Sequence, residues 1–191
     1  MSAVGVVLAG GSGRRIGGDK AMVELDGVAL LHYPLRALTA VTAEQAVVAK
    51  RDTQLPRLPL GVAVWREPEE PRHPLTGILH ALRTAARRPV LCCAVDLPLL
   101  DAATLRRLLE ADDGRHACVV PRVGGRLEPL CAIWHQRARR VLDRLPPGPA
   151  MRDVVASLDP LEVAFSKPWP FVNVNAPEDL VTIGRYPKVK A

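Results

Sequence analysis

The residue types best suited to chemistry stand near the amino end of the chain. An apolar run, residues 6–9, leads into glycines at positions 10, 11 and 13 and then to Arg14, Arg15 and Lys20. Glycines let the backbone turn tightly and approach a ligand closely. A buried strand followed by such a loop and by cations is typical of α/β proteins that bind a polyphosphate. We therefore predict a polyphosphate-binding loop here.

Two common phosphate-binding loops do not fit this pattern. The P-loop requires Ser or Thr directly after its lysine, where this chain has Ala21, and Lys20 itself follows Asp19 instead of a glycine. The dinucleotide fingerprint requires a third glycine where this chain has Ile16. A purely structural turn is the alternative interpretation, but such a turn has no need of three cations.

A second candidate for chemistry is the carboxylate of Asp96, which follows the apolar run 90–95. If that run is a parallel strand, Asp96 emerges at the same sheet edge as the glycine loop. A hard oxygen ligand at that edge suits Mg²⁺ that bridges nucleotide phosphates. The alternative is that Asp96 caps a turn before Pro98. Beside a polyphosphate loop, we favour the magnesium site.

Strand and helix patterns alternate along the chain. The predicted strands are residues 3–9, 45–49, 62–65, 90–95, 117–120, 128–134 and 162–165. The predicted helices are residues 29–40, 75–86, 102–109 (with Asp101 as N-cap), 136–144, 151–157 and 177–183. This order predicts an α/β fold of three layers, α/β/α, with a mainly parallel sheet. Ligands of such folds bind outside the carboxyl ends of the strands.

Length and composition narrow the function further. The 191 residues suit one domain, predicted over residues 1–186, with a frayed tail at 187–191. The net charge of +6 is compatible with an anionic ligand, but scattered arginines and few aromatics argue against nucleic acid. The chain has no apolar run of the roughly 18 residues that span a bilayer and no signal-peptide pattern, so we predict a cytoplasmic protein.

The cysteines lack the spacing of a zinc site. The chain has four of them and no C-x-x-C pair. All four fall in predicted buried strands, where a free cysteine packs as a small apolar residue. We therefore predict that they belong to the core: Cys92, Cys93, Cys118 and Cys131.

The glycine loop resembles the start of the nucleotidyltransferases with the pattern LAGG-x-S/G-x-R-M-G-x-x-K, and most of all the molybdenum cofactor guanylyltransferases. Ile16 takes the place of the usual methionine, a swap of similar volume. Residues 74–78 are similar to the G-P-L-A-G-I turn of that family, with His73 in place of its leading glycine. Further similar segments surround Asp96 and cover residues 125–130 and 171–180. The resemblance implies a Rossmann-like nucleotidyltransferase fold.

The resemblance also implies an activity and its site. GMP would pass from GTP to the phosphate of Mo-molybdopterin, with release of pyrophosphate and with Mg²⁺ held by Asp96. Lys20, Arg14 and Arg15 would stabilise the triphosphate. The implied nucleotide-binding residues are Leu8, Ala9, Gly10, Gly11, Lys20, Glu67 and Asp96, and the implied acceptor-binding residues are Asn173, Asn175 and Arg126. Transient contact with cofactor-delivery proteins or acceptor molybdoenzymes would follow.

The sequence does not decide which residues would recognise the nucleotide base. Members of that family often use an Asn after the second strand and an acidic residue after the third; here Ala49 and Glu67 stand at those positions. A carboxylate at Glu67 could accept hydrogen bonds from guanine N1–H and N2–H, or it could be an exposed loop residue. Asn175 could likewise serve only as the N-cap of the helix that starts at Pro177.

Other functions fit the same residues. A cytidylyltransferase for the same cofactor and a guanylyltransferase for another small phosphate, such as phospholactate, would use the same loop. A nucleotide-binding regulatory module would keep the loop without turnover, although the presence of both Lys20 and Asp96 argues for catalysis. A basic nucleic-acid binder is the remaining alternative, and its affinity would depend strongly on salt.

Overall fold

The structure is a computed structural model that describes residues 2–11, 18–145, 148–184 and 186. Within these described residues, ten strands lie in two sheets. In chain order they are β1 (Val4–Leu8), β2 (Glu24–Leu25), β3 (Val28–Ala29), β4 (Gln45–Ala49), β5 (Ala63–Arg66), β6 (Val90–Ala94), β7 (Cys118–Val123), β8 (Arg126–Leu127), β9 (Cys131–Trp134) and β10 (Leu161–Phe165).

The main sheet has the order β10-β7-β9-β6-β1-β4-β5, with β8 paired to β7. The pairs β6–β1, β1–β4, β4–β5 and β7–β10 are parallel, whereas β9 runs antiparallel to both of its neighbours. The prediction of a mainly parallel sheet is therefore confirmed. Because β1, β4 and β6 are parallel, their carboxyl ends meet at one edge.

Helices cover both faces of the main sheet. They are α1 (His32–Thr39), α2 (Pro74–Thr84), α3 (Ala102–Ala111), α4 (Arg139–Leu142), α5 (Met151–Ala156) and α6 (Pro177–Ile183). Apolar residues of α1 and α3 pack on one face, in a cluster that includes Val7, Leu35 and Leu105. Those of α2, α4 and α5 pack on the other, around Val6 and Ile78. Strands buried on both faces explain the nearly continuous apolar runs of the sequence.

The amino-terminal part of the chain differs from the prediction in one element. Helix α1 begins at His32 and not at residue 29, because β2 and β3 form a small antiparallel hairpin. Asp26 and Gly27 form its turn with φ angles of 51° and 73°. An Asp-Gly pair between short apolar segments is a recognisable signal for such a hairpin, so the prediction of a helix across residues 29–31 was wrong.

Other predictions are confirmed or refined by the structure. All four cysteines are buried, and the Asp101 side chain accepts a hydrogen bond from the backbone N–H of Thr104, as an N-cap does. The predicted helix 136–144 is a 3₁₀ turn, Gln136–Ala138, followed by α4. The predicted tail, residues 187–191, lies outside the described residues. In the part of the chain that is described, no helix combines the length and the apolar character needed to cross a bilayer.

Candidate active site

A cleft of about 240 Å³ lies at the carboxyl ends of β1, β4 and β6. All the predicted nucleotide-binding residues line it except Ala9, which is buried in the sheet, where its N–H donates to the Val48 carbonyl. Arg14 and Arg15 lie outside the described residues. The described lining residues are Leu8, Gly10, Gly11, Lys20, Lys50, Glu67, Arg72, His73, Pro74, Gly77, Ala94, Val95, Asp96 and Leu130.

Lys20 holds three distant parts of the chain together at the mouth of this cleft. Its ammonium group donates to Asp96 Oδ2 and to Asn175 Oδ1, each over 2.7 Å. The side chains of Lys20 and Asp96 are 14% and 13% exposed, so this ion pair is shielded from water on most sides. A cation held at the edge of such a cleft is in a position to bind phosphate oxygens.

One carboxylate oxygen of Asp96 is available to bind a ligand. Its Oδ1 is buried and has no hydrogen-bond partner within the described ranges, while Oδ2 accepts from Lys20. The backbone around Asp96 is fixed from two sides: its carbonyl accepts from Val174 N–H at 2.9 Å, and the preceding Val95 N–H donates to Leu8 O. An unsatisfied carboxylate oxygen is costly to bury. The site therefore fits a ligand that supplies a positive or hydrogen-bonding group to Oδ1.

Glu67 lies on the opposite wall and is buried, not the exposed loop residue of the alternative interpretation. It is 6% exposed, and its Oε2 has no hydrogen-bond partner in the described structure. The ammonium of Lys50 lies 3.6 Å from Glu67 Oε1 and donates to Pro68 O at 2.6 Å. Burial raises the pKa of the Glu67 carboxyl, and the Lys50 charge opposes part of that rise. The wall thus presents a buried acceptor with spare hydrogen-bonding capacity.

Two glycines make room for the Glu67 carboxylate. A Cβ at Gly10 would lie 2.0 Å from Glu67 Oε1, and one at Gly77 would lie 3.2 Å from Glu67 Oε2. Any side chain at Gly10 must therefore displace Glu67. The glycine at position 10 serves this close approach, in addition to the turn that the sequence suggested.

We expect Gly10→Ala to weaken nucleotide binding by at least about tenfold, since overpacking of this kind costs roughly 1–3 kcal/mol. Isothermal titration with GTP measures the effect. Gly184→Ala is the control, because Gly184 lies outside the cleft lining and a Cβ there makes only an ordinary contact, 3.5 Å from Val181 O. Equal affinities of the two variants would show that the Glu67 carboxylate does not need its observed position.

The loop that precedes α2 closes the cleft on one side. His73 is the N-cap of α2, and its Nδ1 accepts from Leu75 N–H at 3.2 Å. Arg72 forms ion pairs with Asp52 at 2.6 Å and, at longer range, with Glu69 and Glu70. His73, which replaces the glycine of the resembling pattern, thus has a structural role at the start of the helix.

A second cavity, of about 330 Å³, adjoins the first and shares Leu130 with it. Its walls are mostly apolar, with the polar groups of Glu128, Arg152 and Asn173 among them. Burial raises the pKa of the Glu128 carboxyl, against the charge of Arg126. The described lining residues are Leu97, Glu128, Pro129, Leu130, Cys131, Ala150, Met151, Arg152, Phe171 and Asn173.

The three predicted acceptor-binding residues are not brought together. Asn173 lines the second cavity, Asn175 binds Lys20 at the first, and Arg126 lies exposed in β8, outside both linings. Asn175 is also not the N-cap of α6: Ala176 holds that position, and the Asp179 carboxylate accepts from the backbone N–H groups of Asn175 and Ala176. The Asn175 side chain is therefore free to bind the Lys20 ammonium.

Lys50 and Arg72 are the charged residues of the described cleft lining that were not predicted from the sequence. The pattern of an Asn after the second strand directed attention to Ala49, which is fully buried in β4. The lysine one position later lines the cleft instead. A lysine that directly follows a buried strand and faces the edge where a carboxylate emerges is the signal that could have found it.

The chain is similar to known nucleotidyltransferases over most of its length. The model of the MobA-like NTP transferase domain matches residues 5–161. A molybdenum cofactor guanylyltransferase of Cereibacter sphaeroides is 36% identical over 186 residues, 94% of each chain. A probable molybdenum cofactor guanylyltransferase of Bacillus licheniformis is 30% identical and covers 96% of this chain and 97% of its own.

Solved structures share the fold. Molybdopterin-guanine dinucleotide biosynthesis protein A from Archaeoglobus fulgidus superposes with a TM-score of 0.76 at 22% identity, over 94% of this chain and 96% of the other. The 2-C-methyl-D-erythritol 4-phosphate cytidylyltransferase from Thermus thermophilus superposes with a TM-score of 0.68 at 20% identity, over 96% and 97%. The predicted nucleotidyltransferase fold is thereby confirmed.

Proposed function

Since the chain belongs to the family of MobA-like NTP transferases, we propose that it transfers GMP from GTP to the phosphate of Mo-molybdopterin. The products are the molybdopterin guanine dinucleotide cofactor and pyrophosphate. The observation that carries this proposal is the pairing of Lys20 with Asp96 in the same cleft as a buried, unsatisfied Glu67. One end of that cleft suits a polyphosphate and the other suits a base with N–H donors.

The reaction needs no protein nucleophile. An anionic oxygen of the acceptor phosphate attacks the α-phosphorus of GTP, and the bond from that phosphorus to the bridging oxygen of the β-phosphate breaks. Pyrophosphate takes the electron pair and leaves. Catalysis then consists of positioning and charge stabilisation. Lys20 would turn its ammonium from Asp96 and Asn175 toward the triphosphate and the departing pyrophosphate.

Magnesium fits this site. The buried Oδ1 of Asp96 is a hard oxygen with no protein partner among the described residues. A second oxygen, Asn175 Oδ1, is close by, because it accepts a hydrogen bond from the same Lys20 ammonium group that binds Asp96 Oδ2. Among the described residues, no group of three or more His, Cys, Asp or Glu side chains could hold a metal ion. Phosphate oxygens would therefore complete the coordination, as is usual for Mg²⁺. When bound, the ion would act as a Lewis acid on the phosphate oxygens.

The second cavity is the proposed acceptor subsite. It adjoins the nucleotide cleft at Leu130, and the Asn173–Asn175 segment connects the two, since Val174 N–H donates to the Asp96 carbonyl between them. Apolar walls with a few polar groups suit a flat heterocycle with hydrogen-bonding edges. An acceptor bound there can direct its phosphate toward the Lys20 and Asp96 pair.

We expect Asn173→Ala to raise the KM for molybdopterin about 3- to 10-fold, which corresponds to one lost hydrogen bond of roughly 0.5–1.5 kcal/mol. The KM for GTP should stay unchanged, because Asn173 does not line the nucleotide cleft. Steady-state assays with each substrate varied in turn separate the two constants. A rise in the KM for GTP alone would show that Asn173 does not contact the acceptor.

The deciding experiment supplies the protein with either Mo-molybdopterin or phospholactate as acceptor and with a panel of GTP, CTP, ATP and UTP, and it measures nucleotide binding beside turnover. The proposal expects pyrophosphate release and the guanine dinucleotide product with GTP. Preference for CTP would identify a cytidylyltransferase, and turnover with phospholactate as acceptor would identify another small-phosphate enzyme. Nucleotide binding without turnover would identify a regulatory module. Turnover that survives removal of divalent cations with a chelator would overturn the magnesium part alone.

A further inference from the structure

We propose that Lys50 reads the nucleotide base together with Glu67, by donating a hydrogen bond to O6 of guanine while it orients the Glu67 carboxylate toward the ring N–H groups. This inference rests on the proposed guanylyl transfer, and it names the residue pair that would select the base. Lys20 and Asp96, the charged pair at the mouth of the cleft, suit phosphate and metal and do not distinguish one base from another.

The position of Lys50 requires an explanation because a buried ammonium group is rare. Only 1% of Lys50 is exposed, and its partner Glu67 is 6% exposed. Burying two charges is unfavourable unless both are well paired. Yet the pair is loose: Nζ lies 3.6 Å from Oε1, and Oε2 has no partner within the described structure. A pair that is buried and incompletely satisfied is suited to complete its hydrogen bonds with a ligand.

The ammonium group has a donor available for that ligand. Of its three N–H groups, one is used by Pro68 O at 2.6 Å and one faces Glu67. Both Lys50 and Glu67 line the nucleotide cleft, so the third N–H and the free Oε2 can meet the same ligand. The pair thus offers one donor beside one acceptor.

Guanine presents the complement of this pair. Its O6 accepts a hydrogen bond, and the neighbouring N1–H and 2-amino group donate. Adenine and cytosine present an amino donor where Lys50 would need an acceptor, and an acceptor nitrogen where Glu67 would need a donor. Such mismatches leave buried polar groups unpaired, and sites of this kind discriminate strongly. The pair therefore favours GTP over CTP, the choice that Ala49 left open.

A purely structural role for Lys50 makes a different prediction. If Lys50 only anchors the loop at Pro68 and neutralises Glu67, then at a pH above the acid limb, where Glu67 is ionised with or without Lys50, its loss weakens the binding of every purine nucleotide alike. If Lys50 contacts O6, its loss weakens only those nucleotides that carry O6. A set of base analogues distinguishes the two roles.

The test measures dissociation constants by isothermal titration for wild type and Lys50→Met with three triphosphates. GTP and ITP carry O6, whereas 2,6-diaminopurine riboside triphosphate carries an amino group there. We expect wild type to prefer GTP and ITP over the diaminopurine analogue, and Lys50→Met to reduce that preference by about 10- to 100-fold, the range for a hydrogen bond to a charged group. Lys167→Met, at an exposed lysine beside Trp169, is the control.

The pH profile gives a second readout. The charges that face Glu67 are Lys50, Glu69 and Arg72. Glu67 must be ionised to accept both guanine donors, so GTP binding is lost as the pH falls through its pKa, which burial has raised. Without the Lys50 charge this acid limb should move to higher pH. If Lys50→Met does not fold, Lys50→Gln, which keeps an N–H donor, should show an intermediate loss of discrimination.

The outcomes separate the inference from the function on which it rests. A wild-type protein without preference for GTP would overturn the proposed guanylyl transfer. A wild-type protein that prefers GTP, together with variants that lose affinity equally for all three triphosphates, would overturn the role of Lys50 alone. The same holds for an unchanged acid limb in Lys50→Met.

Discussion

Replacing Lys20 with alanine is expected to lower the rate of nucleotidyl transfer by about 10²–10³-fold, which corresponds to ~2.7–4 kcal/mol of lost transition-state stabilisation. The charge on the leaving pyrophosphate increases as the reaction proceeds, and the Lys20 ammonium lies at the cleft edge where that charge would develop. Because the interaction grows toward the transition state, kcat should fall more than the affinity for GTP.

The ground-state contacts of Lys20 support this expectation. Its ammonium bridges Asp96 and Asn175, two residues that lie far apart in the chain, with both hydrogen bonds 2.7 Å long. The variant leaves the Asp96 carboxylate with neither oxygen paired in the described structure. The variant also loses the hydrogen bond to Asn175, so we expect the segment that contains Asn175 to be held less firmly at the cleft. Asn173, two residues away in that segment, lines the second cavity.

Pyrophosphate release under saturating substrates measures the rate, and circular dichroism on heating reports whether the variant is folded. Lys167→Ala is the matched control, since Lys167 is exposed and its ammonium lies over the ring of Trp169, away from the cleft lining. Lys20→Arg keeps the charge with a different geometry and should retain part of the rate. A folded Lys20→Ala variant with the wild-type rate would show that Lys20 does not take part in the reaction.

The edge rule for parallel sheets explains why part of the site could be predicted from sequence. Leu8 ends β1 and Asp96 follows β6, and these strands are neighbours in the sheet, so the meeting of the two residues requires only the strand pattern. Lys20 follows the glycine-rich segment in the sequence and lines the cleft at the same edge. The positions of these residues can therefore be predicted from local sequence patterns and from the rule that parallel strands end at one edge of the sheet.

The base-reading wall and the acceptor side depend on tertiary packing that no local pattern records. Glu67 is indistinguishable in sequence from an exposed loop glutamate; its burial follows from the missing side chains of Gly10 and Gly77 on either side. Asn175 looks like a helix cap, but Asp179 performs part of the capping from within the helix. Arg126 stands in a segment similar to the family pattern, yet β8 leaves it exposed.

Glu67→Gln is expected to reverse the preference of the cleft from GTP to XTP. The ionised carboxylate can accept from both N1–H and the 2-amino group of guanine, and hydrogen bonds to a charged group contribute about 1.5–3 kcal/mol each. The glutamine amide has one acceptor oxygen and a donor NH₂ group, so it repels the 2-amino group. GTP should therefore bind about 10²-fold more weakly, since one such bond is lost. Xanthine has a carbonyl at that position, which the amide can pair.

The variant should also change the response to pH. In wild type, GTP binding falls as the pH decreases through the Glu67 pKa, because the protonated acid loses an acceptor; burial places this loss at a higher pH than for an exposed glutamate. The amide of Glu67→Gln does not titrate, so its residual GTP binding should lack this acid limb. Titration calorimetry at several pH values, with GTP and XTP, measures both effects.

Glu69→Gln provides the matched control, since it makes the same change two positions away, at a side chain that is 45% exposed. It should leave the preference for GTP intact. Glu67→Gln also leaves the buried Lys50 ammonium without its counter-charge, so its melting temperature must be measured beside its affinities. If a folded Glu67→Gln variant keeps its preference for GTP, the Glu67 carboxylate does not face the base. Its free Oε2 would then require a different donor, such as the ribose hydroxyls, and base selection would have to come from backbone groups of the glycine loop.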